Sequence, residues 1–195
     1  MDPTIKYYDD NAVSFFENTK DADMNGIYEF FLKHLSPGAK ILDLGCGSGR
    51  DTKCFLQKGY EVVAMDGSIK MVKLSTEFTG RQTLYLSFDE IDFHEEFDGV
   101  WACASLLHVP RNRIDSIFKK VYIALKKGGV FYSSYKYGNR EEIKNGRFFN
   151  NYDEPLFKEL LKKHPYFVLM EMKVTNDVRI GRENEKWLNV VLRKT

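Results

Sequence analysis

Three glycines in alternate positions, Gly45-Cys46-Gly47-Ser48-Gly49, join a compact apolar run at residues 39–44 to a stretch with helical spacing at 49–59. No other feature constrains the fold as much. Glycine is needed where backbone turns tightly and comes close to a ligand, and a helix that starts there presents unpaired N–H groups. Strand, glycine turn and helix in that order open a parallel sheet with crossover helices.

The rest of the chain repeats the alternation. Short apolar runs at residues 61–66, 83–88, 97–104, 129–135, 167–174 and 187–193 suit buried strands. Helical patterns occupy 23–35, 68–79, 111–125 and 153–163. Two of them open on capping residues, Ser68 and Asp153, and the last has Pro155 in its first turn. The final two apolar runs follow each other with only a polar stretch, 175–186, between them, which predicts an antiparallel pair at one sheet edge. At 195 residues the chain suits one domain.

Charge and cysteine usage narrow the function. With 29 basic and 28 acidic residues the formal net charge is +1, which leaves no footprint for nucleic acid or an anionic membrane. Three cysteines, Cys46, Cys54 and Cys103, fit no zinc pattern and no disulfide framework, so no metal is expected. Residues 1–10 hold no signal core and no run is long enough to span a bilayer. A cytoplasmic location is expected.

The residues around the turn choose between ligands. A dinucleotide fingerprint spaces its glycines G-x-G-x-x-G, with pyrophosphate on the helix N-terminus; here Arg50 stands where the third glycine would be. No Gly-Lys-Ser/Thr closes the motif, which excludes a Walker loop. Asp43, two residues before Gly45, would oppose a pyrophosphate and suits an ammonium group. Asp66 ends the next apolar run, where a carboxylate accepts hydrogen bonds from ribose hydroxyls. Together they point to a zwitterionic amino acid joined to a nucleoside.

The segments ILDLGCGSGRD, VVAMDGSIKMV, FDGVWACASLLHVP and ALKKGGVFYSSYKYG make the chain resemble the class I S-adenosylmethionine-dependent methyltransferases over roughly residues 5–194. GRFFNNYDEPLFKELL, with the closing R-x-G-R and WLNV, is similar to the small bacterial members of the tellurite-resistance type. The resemblance implies an α/β fold: a doubly wound, Rossmann-like sheet of seven strands, mostly parallel with an antiparallel edge pair, and helices on both faces. It implies S-adenosylmethionine as cofactor and S-adenosylhomocysteine as product. Residues 1–36 would form a helical lid, 37–135 the cofactor-binding core and 136–195 the substrate side. Asp43, Gly45, Cys46, Gly47, Ser48, Gly49 and Arg50 would hold the methionine moiety, and Asp66 and Gly67 the ribose. Met71, Phe88 and Asp89 would flank the adenine, while Ala104 and Ser105 would face the methyl group.

Methyl transfer is a displacement at a sulfonium carbon, so the protein mainly holds nucleophile and methyl in line. A base is needed only for a protonated nucleophile. His108 is the candidate, the alternative being a ring that only hydrogen-bonds its surroundings. The Asn/Asp-Pro-Pro-Tyr/Phe motif of base-amine methylation is absent after residue 102. Cys46 and Cys103 read as packing residues. An N-terminal lid would bring Tyr8, Asn11 and Phe16 over the cofactor. A long polar loop at 136–152 would supply a substrate wall from Tyr135, Tyr137, Arg140 and Arg147, with Arg147 and Arg179 or Arg182 suited to a carboxylate or oxyanion. A small-molecule acceptor is expected. An RNA or protein acceptor and a non-catalytic binding module are the alternatives, in a monomer or homodimer.

Overall fold

The computed structural model describes residues 2–179 and 181–195. Five parallel strands form most of one sheet: β1 (Lys40–Leu44), β2 (Glu61–Asp66), β3 (Thr83–Tyr85), β4 (Phe97–Ala102) and β5 (Leu125–Lys136). The crossovers between them carry α3 (Arg50–Gln57), α4 (Ile69–Thr79) and α5 (Arg111–Ala124), while β3 and β4 are joined by a short 3-10 turn, Phe88–Glu90. Ahead of β1 lie α1 (Pro3–Thr19) and α2 (Asn25–Leu32). After β5 come a hairpin, β6 (Glu141–Lys144) and β7 (Arg147–Asn150), then α6 (Glu154–Lys162), β8 (Phe167–Asn176) and β9 (Lys186–Lys194). The strand order is β3-β2-β1-β4-β5-β9-β8, and β9 runs antiparallel to both neighbours. The expected seven-stranded, mostly parallel sheet with an antiparallel pairing at its edge is the observed one.

Two buried clusters cover the two faces. Leu42, Leu44, Val100, Ala102 and Phe131 pack under α5 and α6 through Ile117, Phe118, Val121 and Phe157. Ile41, Trp101, Val130 and Tyr132 pack on the opposite face under α2 and α3 through Phe31 and Phe55. Successive strand residues point to opposite faces, so each strand's parity decides what its polar residues meet.

The strand order reverses between β1 and β4, each of which has the other as one neighbour. An open α/β sheet binds its ligand in the crevice at such a point, beyond the carboxyl ends of the strands. The glycine turn leaves β1 there, and residues 103–105 leave β4 beside it.

The segment at 136–152 differs from the predicted loop, because β6 and β7 pair as a two-stranded sheet. Asn145 and Gly146 form its two-residue turn with φ of +51° and +76°. Positive φ at both positions is the type I′ geometry that matches strand twist, and Asn-Gly is its sequence signature. The β3 run is also shorter than predicted. Ser87 and Glu90 cap each other in a reciprocal box that turns the chain into the Phe88–Glu90 helix.

Candidate active site

The glycine turn forms a cradle. Gly45, Gly47 and Gly49 all adopt positive φ, at +77°, +57° and +88°. The amides of Gly45 and Cys46 both donate to the Met65 carbonyl, at 2.9 and 3.0 Å. The Gly47 amide donates to Asp66 Oδ2 at 2.9 Å, and the Ser68 amide to Asp66 Oδ1 at 2.8 Å. Asp66 thus ties the turn after β1 to the turn after β2. Burial pushes its carboxyl up to about 6, against the pull of these amides. Across the switch point Ser105 Oγ donates to the Leu44 carbonyl at 2.6 Å. A Cβ on Gly45 would lie 2.6 Å from Ser105 Cβ and 3.4 Å from the Phe88 ring. Ala104, which leads into Ser105, is itself held at φ +52° and donates its amide to Ser134 Oγ at 2.8 Å.

Behind the cradle lies a buried carboxylate. Asp51 accepts from Tyr28 OH at 2.7 Å, Trp101 Nε1 at 2.9 Å, and Arg50 Nε and Nη2 at 2.6 and 3.1 Å. Burial alone would raise its pKa; Arg50 and the hydrogen bonds outweigh it and hold Asp51 below its ordinary value. The network aims Arg50 along the cavity wall.

The cavity measures about 960 Å³, within the size of ordinary ligand pockets. Its roof is α1 and the β6–β7 hairpin. Tyr8 OH lies 2.9 Å from His108 Nε2, and His108 Nδ1 lies 2.6 Å from the Phe148 carbonyl oxygen. A carbonyl can only accept, so Nδ1 carries the hydrogen and Nε2 accepts from Tyr8. The Phe148 amide donates to Thr4 Oγ1 at 3.1 Å. One residue of β7 is therefore latched to α1 and to the loop after β4. Burial, with the Arg147 charge beside it, lowers His108 to about 4, so the ring is neutral near pH 7.

A charged wall stands on the β5–β9 side. Asp177 accepts from Arg179 Nε at 2.9 Å and Nη2 at 2.6 Å, from Trp187 Nε1 at 2.9 Å and from Lys136 Nζ at 3.2 Å. Lys136 also pairs with Glu185. Although burial works against it, Arg179 and Trp187 hold Asp177 well below the usual carboxylate range.

Most of the predicted residues meet on this cavity: Gly45, Cys46, Gly47, Ser48, Arg50, Asp66, Gly67, Met71, Phe88, Asp89, Ala104, Ser105, Tyr8, His108, Tyr137 and Arg147 all line it. Six do not. Asp43 shares the face of Ile41, under α3, where it accepts from Thr52 Oγ1 at 2.5 Å. Burial, together with the Asp51 charge, raises its pKa. There it supports the cradle from below and does not line the cavity. Gly49 caps α3 and packs against Ser75 and Thr79 of α4. Asn11 sits at a kink in α1 with Nδ2 bonded to the Tyr7 carbonyl at 2.9 Å. Phe16 packs edge-on to Phe78, and it is Phe15 that reaches the cavity. Tyr135 has the parity of Phe131 and is buried against Tyr152 and Phe157, while Ser134 and Lys136 face the cavity. Arg140 is exposed at the base of the hairpin. Arg179 and Arg182 do reach the wall, each beside a carboxylate, Asp177 and Glu185.

Burial pushes the Cys103 thiol up to about 12 and the Cys46 thiol well above its ordinary value, so neither is a thiolate nucleophile near neutral pH. Sequence reasoning passes over Asp51, Phe15, Lys136 and Asn151. Only Asn151 carries a signal, the Asn145-Gly146 turn that fixes the register of its hairpin.

Residues 42–133 match a family model described as a methyltransferase domain. Over half of the chain, 35% of residues are identical to an uncharacterized methyltransferase, sll0829, of Synechocystis, of which 47% is covered. The chain thus spans about half the length of this curated relative. Other matched relatives are named as sterol and ribosomal RNA methyltransferases. A solved structure of 1,6-didemethyltoxoflavin-N1-methyltransferase from Burkholderia thailandensis, with S-adenosylhomocysteine bound, superposes with a TM-score of 0.81. That match covers 98% of this chain and 87% of the other at 22% identity. TehB from Haemophilus influenzae gives 0.73 over 94% and 67%, at 20% identity. Residues 42–133 thus resemble a methyltransferase domain, and with α1, α2, the hairpin, α6 and the last two strands the chain has the fold of these solved structures.

Proposed function

We propose that the protein binds S-adenosylmethionine in this cavity and transfers its methyl group to a small molecule. The observation that carries the reading is the cradle: a left-handed glycine turn closed by Gly47 on Asp66 at one side and by Gly45 on Ser105 and Phe88 at the other. Backbone that close to a cavity admits a flat nucleoside between loop and ring. Asp66, with each oxygen already taking one amide, keeps lone pairs for ribose hydroxyls. Phe88 offers a face to the base. The Arg50 guanidinium, steadied by Asp51, suits the amino acid's carboxylate.

The cofactor supplies an activated methyl group and its own leaving group. The acceptor's lone pair forms the new bond to carbon while the carbon–sulfur pair returns to sulfur, leaving a neutral thioether. A proton on the attacking atom, where there is one, passes to solvent. The protein's share is to close the cavity with α1 and the hairpin, and to fix acceptor and methyl in line. His108, neutral and hydrogen-bonded at both nitrogens, positions the roof and does not take a proton.

A small acceptor is favoured over RNA or protein because the α1–hairpin latch roofs the cavity and the net charge is +1. Three unpaired cysteines favour the cytoplasm. No helix among the described residues is long and apolar enough to cross a membrane. Calorimetric titration tests the cofactor: S-adenosylmethionine and S-adenosylhomocysteine should bind and NAD should not. Binding of NAD alone would overturn the reading.

A further inference from the structure

We propose that the methyl acceptor is a flat organic anion and that Arg147 binds its charged group; this rests on the methyltransferase reading above. Five arginines line the cavity: Arg50, Arg113, Arg147, Arg179 and Arg182. Four have a carboxylate. Arg50 pairs with Asp51, Arg113 with Asp89, Arg179 with Asp177 and Arg182 with Glu185. Arg147 is in no ion pair among the described residues. One long side-chain hydrogen bond, Nη1 to Tyr8 OH at 3.5 Å, is its polar contact among those residues, and its Nε is shut off from solvent with no partner among them. A guanidinium cannot shed its charge, and on this half-buried side chain an Nε cut off from water with no acceptor is costly. What stabilises it is aromatic: its carbon stands 4.5 Å from the Tyr7 ring centre, 5.1 Å from Phe149 and 5.8 Å from Tyr8. Those faces hold the planar fork in place without neutralising it. An anion completes it with paired hydrogen bonds.

The same strand supplies the shape. Arg147, Phe149 and Asn151 alternate along β7 and its end, and all three line the cavity while Phe148 and Asn150 do not. Asn151 is 8% exposed. Its Nδ2 donates to Glu142 Oε1 at 2.9 Å, while its Oδ1 is buried without a partner among the described residues. In order the strand presents an unneutralised cation, an aromatic ring and an unpartnered acceptor. That template fits an anionic group on a flat ring bearing an N–H or O–H on its far side. The anions near Arg147 do not fill the role: Asp2 is engaged in capping α1 through the Thr4 amide at 2.7 Å, and Glu142 holds Asn151. His108 agrees with it. Tyr8 occupies its free nitrogen, and burial and Arg147 keep it neutral against the opposing pull of Asp2. An acceptor whose attacking atom itself carries the negative charge or a free lone pair needs no base.

The test is binding to the protein loaded with S-adenosylhomocysteine, by calorimetry, with 4-hydroxybenzoate and 4-hydroxybenzamide as probes. The carboxylate should bind at least tenfold tighter than the amide. Arg147→Met should abolish that preference while the affinity for the amide and for S-adenosylhomocysteine stays within twofold. Arg147→Lys, which keeps the charge and loses the fork, should retain part of it and serves where the Met variant fails to fold. Equal binding of the two probes by the wild type, or a preference that survives in Arg147→Met or is undiminished in Arg147→Lys, would overturn the proposal. Failure of S-adenosylhomocysteine to bind the wild type refutes the methyltransferase reading instead, and the same probe pair without it still reads Arg147.

Discussion

Replacing Gly45 with alanine separates two costs that usually come together. The first is conformational. An L-residue at φ +77° sits in the left-handed region at about 1–2 kcal/mol. The second is steric. The new Cβ would stand 2.6 Å from Ser105 Cβ and 3.2 Å from its Oγ, so Ser105 must shift. Overpacking of this kind costs roughly 1–3 kcal/mol, and the Ser105 bond to the Leu44 carbonyl adds about 0.5–1.5 kcal/mol when broken. Gly59 is the internal control: its φ is +85°, and a Cβ there would meet nothing within 4 Å. Gly59→Ala therefore carries the first cost alone. By urea unfolding Gly45→Ala should be less stable than Gly59→Ala by about 2–4 kcal/mol, and at about 2–4 °C per kcal/mol for a chain of this size the melting temperature should be lower by roughly 4–16 °C. S-Adenosylhomocysteine should bind Gly59→Ala as it binds the wild type and Gly45→Ala at least tenfold more weakly. In a Ser105→Gly background, adding Gly45→Ala should cost no more than Gly59→Ala does. Equal stability of the two single variants would refute the claim that contact across the β1–β4 switch point is what demands glycine there.

The remaining predictions probe the groups around the cradle and the roof. His108 lies at about 4 in the folded chain against 6.5 for the free side chain. Between those values the unfolded chain holds the proton and the folded one does not, so stability falls as pH drops from 6.5 toward 4. At 1.36 kcal/mol per pH unit the loss between pH 7 and 5 is about 2 kcal/mol; His108→Gln should remove that much of the slope in urea titrations, and identical slopes would sink the assignment. Tyr28→Phe deletes one donor to the buried Asp51 carboxylate, and should cost roughly 1.5–3 kcal/mol by urea unfolding; a neutral effect would mean the network is not stabilising. Gly146→Val places a β-branched residue at φ +76° in the hairpin turn. It should expose residues 141–150 to limited proteolysis with little change in melting temperature, and unchanged protection would show that the turn geometry does not hold the roof.

What the sequence makes legible and what it hides divide along chain separation. Gly45, Gly47, Asp66 and Ser105 leave adjacent strand ends, and a glycine turn followed by an acidic strand end can be read from one strand–helix–strand unit, because local geometry alone brings the pieces together. Strand parity is equally local, yet it corrects two assignments: Asp43 follows Ile41 onto the α3 face, and Tyr135 follows Phe131 into the core. An apolar run read as a whole hides which of its members face the ligand. The Asn145-Gly146 turn is a plain hairpin signal inside a segment whose polarity suggests a loop, so charge content masks pairing. The roof is different in kind. Tyr8 and His108 are 100 positions apart, and Arg147 and Tyr8 are 139; nothing in either neighbourhood encodes the meeting. The same holds for counterions. Five arginines are equivalent by residue type, and only the folded arrangement gives four of them a carboxylate and leaves the fifth facing a cavity among aromatic rings. A motif makes the proposed donor site legible because that site is built from consecutive turns, whereas the proposed acceptor site is built from what long-range packing leaves unpaired.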